Sequence, residues 1–178
     1  MNTLTISYTW EDSTSNIVRR NIEKGNWMTS TARISIAING KIVQVPFNNP
    51  KGDLQYTNTN WIGDLLESTA PAILTVNDEY SYVTWPDDPL CWAFRRQGKL
   101  IWFKFALAGE PKRIIAETSV PEKEVIKTMF SLYDRFVKEI LAINPRLAEH
   151  ERFKPIIEAR DALSKRLKEL KQTRARDE

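Results

Sequence analysis

The sequence predicts an α+β fold in which an antiparallel, curved β-sheet occupies residues 1–118 and helices follow it. Before residue 118, short apolar–polar alternations of period two are separated by turn residues, which is the pattern of strands joined in hairpins. After residue 120, apolar residues recur every three or four positions, which is typical of amphipathic helices. We therefore expect one α+β domain over residues 1–143 and a basic helical C-terminal extension over residues 144–178.

The N-terminal part contains one clear strand and one clear hairpin. Residues 3–10 alternate apolar with hydroxyl side chains, which predicts a strand with one buried face. Residues 33–38 and 41–47 flank Asn39-Gly40, a pair that readily takes the positive φ angles of a type I′ turn. The stretch between them, residues 16–24, fits a strand and a short helix equally well, and its structure stays open.

The middle of the chain predicts a short helix and two further hairpins. Residues 61–68 fit a helix that Pro71 is expected to end. Asn77-Asp78 and Gln97-Gly98 are typical turn pairs between apolar runs. The strands predicted around these two turns, and a last strand after them, cover residues 72–76 and 80–85, 91–96 and 99–107, and 112–118.

Two helices are predicted after the last strand. Ser119 and Glu122 have the spacing of a capping box, so we expect Ser119 to be the N-cap of the first helix. Its broad apolar face should pack on the sheet, and Asn144-Pro145 should end it. Pro155 begins or kinks the final helix, whose narrower apolar stripe lies among lysines and arginines. We expect that stripe to pack on the domain or on a partner, with a homodimer as one alternative.

The residue counts exclude several kinds of chemistry. Cys91 is the only cysteine and lies in an aromatic strand, so we expect a buried thiol and no intrachain disulfide. His150 is the only histidine, and its polar neighbours favour a surface position over a catalytic one. Six scattered glycines provide no phosphate-binding loop. We expect no cofactor and no metal, and the lack of a signal sequence or a membrane-spanning run predicts a cytoplasmic protein.

The charges are unevenly distributed along the chain. The first 90 residues contain six basic and ten acidic residues, whereas the rest contain 20 basic and 13 acidic ones. In the acidic part, Trp85 is followed by Asp87 and Asp88 in a proline-flanked turn. Such a turn often bonds its own backbone, but an aromatic residue beside two carboxylates also suits contact with a basic partner.

The hairpin over residues 91–107 interleaves aromatic and basic side chains, among them Arg95, Arg96 and Trp102. The alternation predicts that Phe103 and its same-face neighbours are core, while Trp102 and Lys104 lie on the opposite face. That opposite face is compatible with three roles: a second buried layer, a protein interface, or a platform for single-stranded nucleic acid.

The leading hypothesis is a non-enzymatic, cytoplasmic protein-binding module, for example a small inhibitor or immunity-type protein that neutralises a basic partner. One alternative is nucleic-acid binding through the hairpin and the basic C-terminal helix, and another is a carboxylate-dependent hydrolase using Asp87 or Asp88. The residues predicted to contact a partner are Trp85, Asp87, Asp88, Arg95, Arg96 and Trp102.

Overall fold

The computed structural model describes residues 2–10, 16–27, 31–43, 56–85, 90–107 and 113–177. The strands in these ranges are β1 (Leu4–Trp10), β2 (Thr31–Ile38), β3 (Lys41–Ile42), β4 (Tyr56–Asn58), β5 (Ser81–Thr84), β6 (Leu90–Gln97), β7 (Leu100–Leu107) and β8 (Ile114–Pro121). The helices are α1 (Asn16–Glu23), α2 (Thr59–Leu74), α3 (Glu122–Ile143), a short 3₁₀ helix (Pro145–Glu149) and α4 (Lys154–Asp177).

The predicted α+β class is confirmed, and all strand pairs are antiparallel, but the strands form two sheets and not one. The first sheet has the order β1-β2-β3, with β4 also paired to β2. The second is a meander in the order β5-β6-β7-β8. The 16 residues of α2 separate β4 from β5, so the chain leaves the first sheet before it begins the second.

Two of the three predicted hairpins are confirmed, and their turns show why. Asn39 and Gly40 have φ angles of 52° and 75°, as a type I′ turn requires, and Gly98 turns the β6–β7 hairpin with a φ of 61°. The stretch left open between strand and helix forms helix α1. The predicted extension of the first hairpin to residue 47 lies beyond the described residues after Val43.

The predicted hairpin around Asn77-Asp78 is wrong in its first strand. Residues 72–74 are the end of a helix, and residues 75 and 76 follow it. Helix α2 continues through Pro71 to Leu74 and absorbs both the predicted short helix and most of that strand. Proline removes a backbone donor and obstructs the carbonyl four residues earlier, but a helix can pass through it when other groups supply the missing bonds. One position before the proline, the Tyr133 hydroxyl bridges the helix: it donates to the Leu66 carbonyl and accepts from the Ala70 amide.

Substituting Tyr133 with phenylalanine tests this bridge. Tyr133 is fully buried, so Tyr133→Phe leaves the Leu66 carbonyl and the Ala70 N–H without their buried partner. We expect a loss of about 1–3 kcal/mol in the free energy of unfolding, measured by urea denaturation. The control is Tyr80→Phe, because the Tyr80 hydroxyl makes no hydrogen bond within the described part of the chain. Equal stability of the two variants would contradict the bridging role.

The start of α3 also differs from the prediction. Strand β8 continues through Ser119 to Pro121, and the helix begins at Glu122 without a side-chain cap. Pro121 is extended, with φ −54° and ψ 138°, and the carboxylate of Glu122 binds arginines instead of reaching back to the backbone. The capping-box prediction is therefore wrong. The Glu122 carboxylate forms charge-assisted hydrogen bonds with arginine side chains, which are stronger than a bond to a backbone N–H.

One hydrophobic core joins both sheets and the helices. The aromatic rings form two groups within it. The first lies between β1, α3 and the start of α4 and contains Tyr8, Trp10, Trp27, Phe136 and Phe153. The second lies on the inner face of the second sheet and contains Trp85, Trp92, Phe94, Phe103 and Phe105.

The C-terminal helix α4 packs against α2 and α3. Its side chains Ile156 and Leu163 are fully buried, as is Phe153 just before the helix. Pro155 lies in the first turn, where its missing N–H has no intrahelical acceptor to lose. The apolar stripe predicted for this helix is therefore buried within the chain at these positions.

Candidate binding surface

The second sheet has one buried face and one partly exposed face, and the alternation along β6 and β7 assigns each residue to one of them. Trp92 and Phe94 face the core, opposite Phe105 and Phe103 of β7. The residues between them point the other way, so Arg95 lies opposite Trp102, and Ala93 lies between Tyr82 and Lys104. We use the name outer aromatic face for Tyr80, Tyr82, Arg95, Trp102 and Lys104.

The side chains of the outer aromatic face are stacked on one another. The guanidinium of Arg95 lies over the Tyr80 ring, 4.9 Å from its centroid, and 5.7 Å from the centroid of Trp102. The ammonium of Lys104 lies 4.0 Å from the same Tyr80 centroid. These distances are within the range of cation–π attraction, so the two cations and the rings are held in a defined arrangement.

Side chains at the edges of the outer aromatic face also have defined contacts. The Tyr80 and Tyr82 rings are 6.0 Å apart, and the indole N–H of Trp102 donates to Gln97 Oε1 at 2.9 Å. Tyr82 is 46% exposed, whereas the other members are half-buried. The outer aromatic face therefore combines the exposed ring of Tyr82 with half-buried side chains that are fixed by their neighbours.

The predicted contact residues separate into three groups. Arg95 and Trp102 meet on the outer aromatic face. Trp85 is only 3% exposed and packs against Trp92 and Phe105, so its ring belongs to the core and is not at the surface. Asp87 and Asp88 lie outside the described residues.

Arg96 is engaged inside the fold, although it is the sequence neighbour of Arg95. Its guanidinium forms two hydrogen bonds to the Glu122 carboxylate, at 2.6 and 2.9 Å, and its Nε donates to the carbonyl of Val76. Arg166 of α4 binds the same carboxylate at 2.8 and 3.0 Å. Arg96 therefore joins β6 to α3 and, through Glu122, to α4, which is a structural role within the fold.

The electrostatics of Glu122 follow from these contacts. Burial of the side chain opposes ionisation, but the hydrogen bonds and charges of Arg96 and Arg166 outweigh it and hold the pKa of Glu122 below its ordinary value. The same contacts raise the pKa of Arg166. The carboxylate is thus ionised at neutral pH and stabilises the fold.

A second polar cluster joins the first strand to α3. Glu139 accepts hydrogen bonds from the Tyr8 hydroxyl at 2.6 Å, from the Trp10 indole at 2.7 Å and from Arg135 at 2.8 Å. Burial opposes the charge on Glu139, but these donors lower its pKa, and burial with the bond to Glu139 raises the pKa of Tyr8. Three converging donors make Glu139 a fixed structural acceptor.

Sequence reasoning missed Tyr80 and Tyr82 as members of the site. The two tyrosines are two positions apart in a segment predicted to be a strand, and that spacing places them on one face. The missing information was the pairing of β5 with β6, which brings them beside Arg95. Cys91 and His150 are placed as predicted, the first buried and the second exposed.

Other kinds of site find little support. Over the described ranges, no three His, Cys, Asp or Glu side chains come together as metal ligands. The described helices include none with the length and apolar character needed to cross a membrane. The hydrolase hypothesis depends on Asp87 or Asp88 and stays a prediction.

No protein-family model matches the chain, and no curated protein or solved structure is significantly similar to it. The outer aromatic face must therefore be interpreted from its own geometry and chemistry.

Proposed function

We propose that the chain is a non-catalytic protein-binding module whose contact surface is the outer aromatic face. The observation that supports this most is the convergence of Arg95 and Lys104 on an accessible sheet face that also carries Tyr80, Tyr82 and Trp102. Tyrosine, tryptophan and arginine are the residue types most enriched at the energetic centres of protein interfaces.

The arrangement suits binding because little order has to be gained on association. Aromatic side chains have few rotatable bonds, and the stacking of Arg95 between Tyr80 and Trp102 already restricts its long side chain. The four-stranded sheet beneath is fixed by a core that includes Phe94 and Phe103. A partner would meet a preformed surface, so its binding energy is not spent on folding a loop.

The test compares the wild-type protein with the double variant Arg95→Ala/Trp102→Ala in quantitative capture of partners from a lysate of the source organism. We expect specific partners to bind the double variant at least about 30-fold more weakly, since hot-spot residues contribute about 2 kcal/mol or more each. The measurement is a titration of the captured partner against both proteins by calorimetry.

A matched control variant is Ile17→Ala/Arg20→Ala on α1. It also removes one large apolar side chain and one arginine, both exposed, from a helix that packs on α3 and not on the second sheet. It should retain wild-type affinity. If the partner binds the double variant and the control equally well, the outer aromatic face is not the contact surface.

Nucleic-acid binding remains the second candidate, because basic and aromatic side chains together also form single-strand platforms. The discriminating measurement is a titration of a labelled oligonucleotide at two salt concentrations. Our proposal expects no binding at low salt. Micromolar binding with a steep salt dependence, lost in Arg95→Ala/Trp102→Ala, would favour the nucleic-acid alternative.

A further inference from the structure

The outer aromatic face brings two positive charges together without a matching negative one among the residues that the structure describes. Arg95 and Lys104 lie 4.9 and 4.0 Å from the same ring centroid, so their charges are within about 9 Å of each other, close to one Debye length of ~8 Å. Like charges at this separation repel, and the ring's quadrupole compensates only in part. The arrangement therefore favours an anion from outside the chain.

The nearest carboxylate in the sheet does not neutralise these cations. Glu117 pairs with Lys104 across β7 and β8, yet the two side chains form no ion pair. Among the described residues, the other half-buried arginines all have a carboxylate partner: Arg96 and Arg166 bind Glu122, and Arg160 binds Asp161.

Arg95 also has unused hydrogen-bonding capacity. Its Nε is shielded from solvent and has no hydrogen-bond acceptor within the described part of the chain. Its two Nη groups are not shielded in this way, and guanidinium Nη groups bind carboxylates with charge-assisted hydrogen bonds. The fold thus presents an arginine that is oriented but not neutralised.

We propose that the partner places an aspartate or glutamate carboxylate between Arg95 and Lys104, beside an apolar side chain that contacts Tyr82. This inference rests on the proposed function and specifies the chemistry of the partner. It concerns residues other than Asp87 and Asp88, for which the sequence predicts a basic partner.

A protein carboxylate fits this face better than a nucleic-acid backbone. The cations already stack on the rings of Tyr80 and Trp102, so those rings are less available to bases. Glu117 is exposed on the same side of the sheet, and the exposed Asp78 and Glu79 precede Tyr80. A polyanion would meet these charges, whereas a single carboxylate can avoid them.

The experiment uses the uniformly ¹⁵N-labelled full chain and follows the arginine Nε–H signals and the backbone amide signals by NMR during titration with a blocked hexapeptide that carries a single glutamate beside a leucine. We expect a saturable shift of the Arg95 signal, at least fivefold weaker binding in Lys104→Gln, and no saturable binding in Arg95→Gln. The control Arg20→Gln should bind like the wild type. Hexathymidylate, which matches the probe in length, should show no saturable binding.

Three outcomes would overturn the inference: no saturable shift, equal binding by Arg95→Gln and Arg20→Gln, or saturable binding of hexathymidylate. They are separable from failure of the proposed function. If partner capture depends on Arg95 and Trp102 while the glutamate hexapeptide does not bind, the proposed contact surface is retained and the proposed carboxylate is wrong. If capture is also independent of these residues, both proposals fail.

Discussion

Phe136→Ala is expected to destabilise the protein by about 4 kcal/mol, which would lower its thermal midpoint by roughly 8–16 °C. The Phe136 side chain is fully buried, and its ring centroid lies 5.9 Å from that of Tyr8, 6.0 Å from Trp10, 6.3 Å from Trp27 and 6.2 Å from Phe153. These residues come from the first strand, the segment after α1 and the start of α4. Removing the ring leaves a cavity that all of them border, and differential scanning calorimetry measures the loss.

Phe130→Ala is the matched control for this prediction. Phe130 lies on the same helix and undergoes the same change, but it is only partly buried at the edge of the core. Its truncation should cost distinctly less, about 1–2 kcal/mol, because less apolar surface leaves the interior and solvent can fill the space. The central role of Phe136 would be refuted by equal losses in the two variants.

Glu122→Gln is expected to cost about 2–3 kcal/mol at neutral pH. The glutamate side chain is 9% exposed and serves Arg96 and Arg166 together, so neutralising it leaves two half-buried guanidinium groups without their shared counter-charge. Because the folded-state pKa of Glu122 lies below its unfolded value, this stabilisation is complete above the unfolded pKa and is lost as the pH falls through the folded one. The stability difference between wild type and variant should therefore shrink in acid.

Glu124→Gln provides the comparison for Glu122. Glu124 is also in the first turn of α3, but its side chain is 43% exposed and its ion pair with Lys127 is long, at 3.9 Å. An exposed pair of this kind contributes less than about 1 kcal/mol. Urea denaturation of both variants at neutral and acidic pH checks the prediction, which fails if the Glu122 effect does not depend on pH.

The parts of the fold that the sequence predicts well are those fixed by local chemistry. Asn39-Gly40 and Gly98 adopt the positive φ angles that their residue types favour, so the two hairpins follow from short segments. Helix α3 is predicted from apolar residues that recur every three or four positions. This pattern can be recognised without knowing which elements of the fold cover the helix.

The parts that fail depend on distant contacts. Helix α2 continues through Pro71, and the Tyr133 hydroxyl that bridges the turn before this proline comes 62 positions later in the chain. The same limit applies to the site: adjacent Arg95 and Arg96 look alike in the sequence, but strand alternation directs one outward and the other towards Glu122. These pairings between distant residues cannot be predicted from composition or from the spacing of apolar residues. Only the folded sheet distinguishes a candidate contact residue from a structural one.

The contacts of Glu139 have a consequence for synthesis of the chain on the ribosome. Tyr8 and Trp10 are 131 and 129 positions away from this acceptor, so β1 cannot make these bonds until α3 has also emerged. Contacts of such long sequence separation close large loops and form late. During translation, the inner face of β1 therefore stays without these contacts until about 130 further residues have been made.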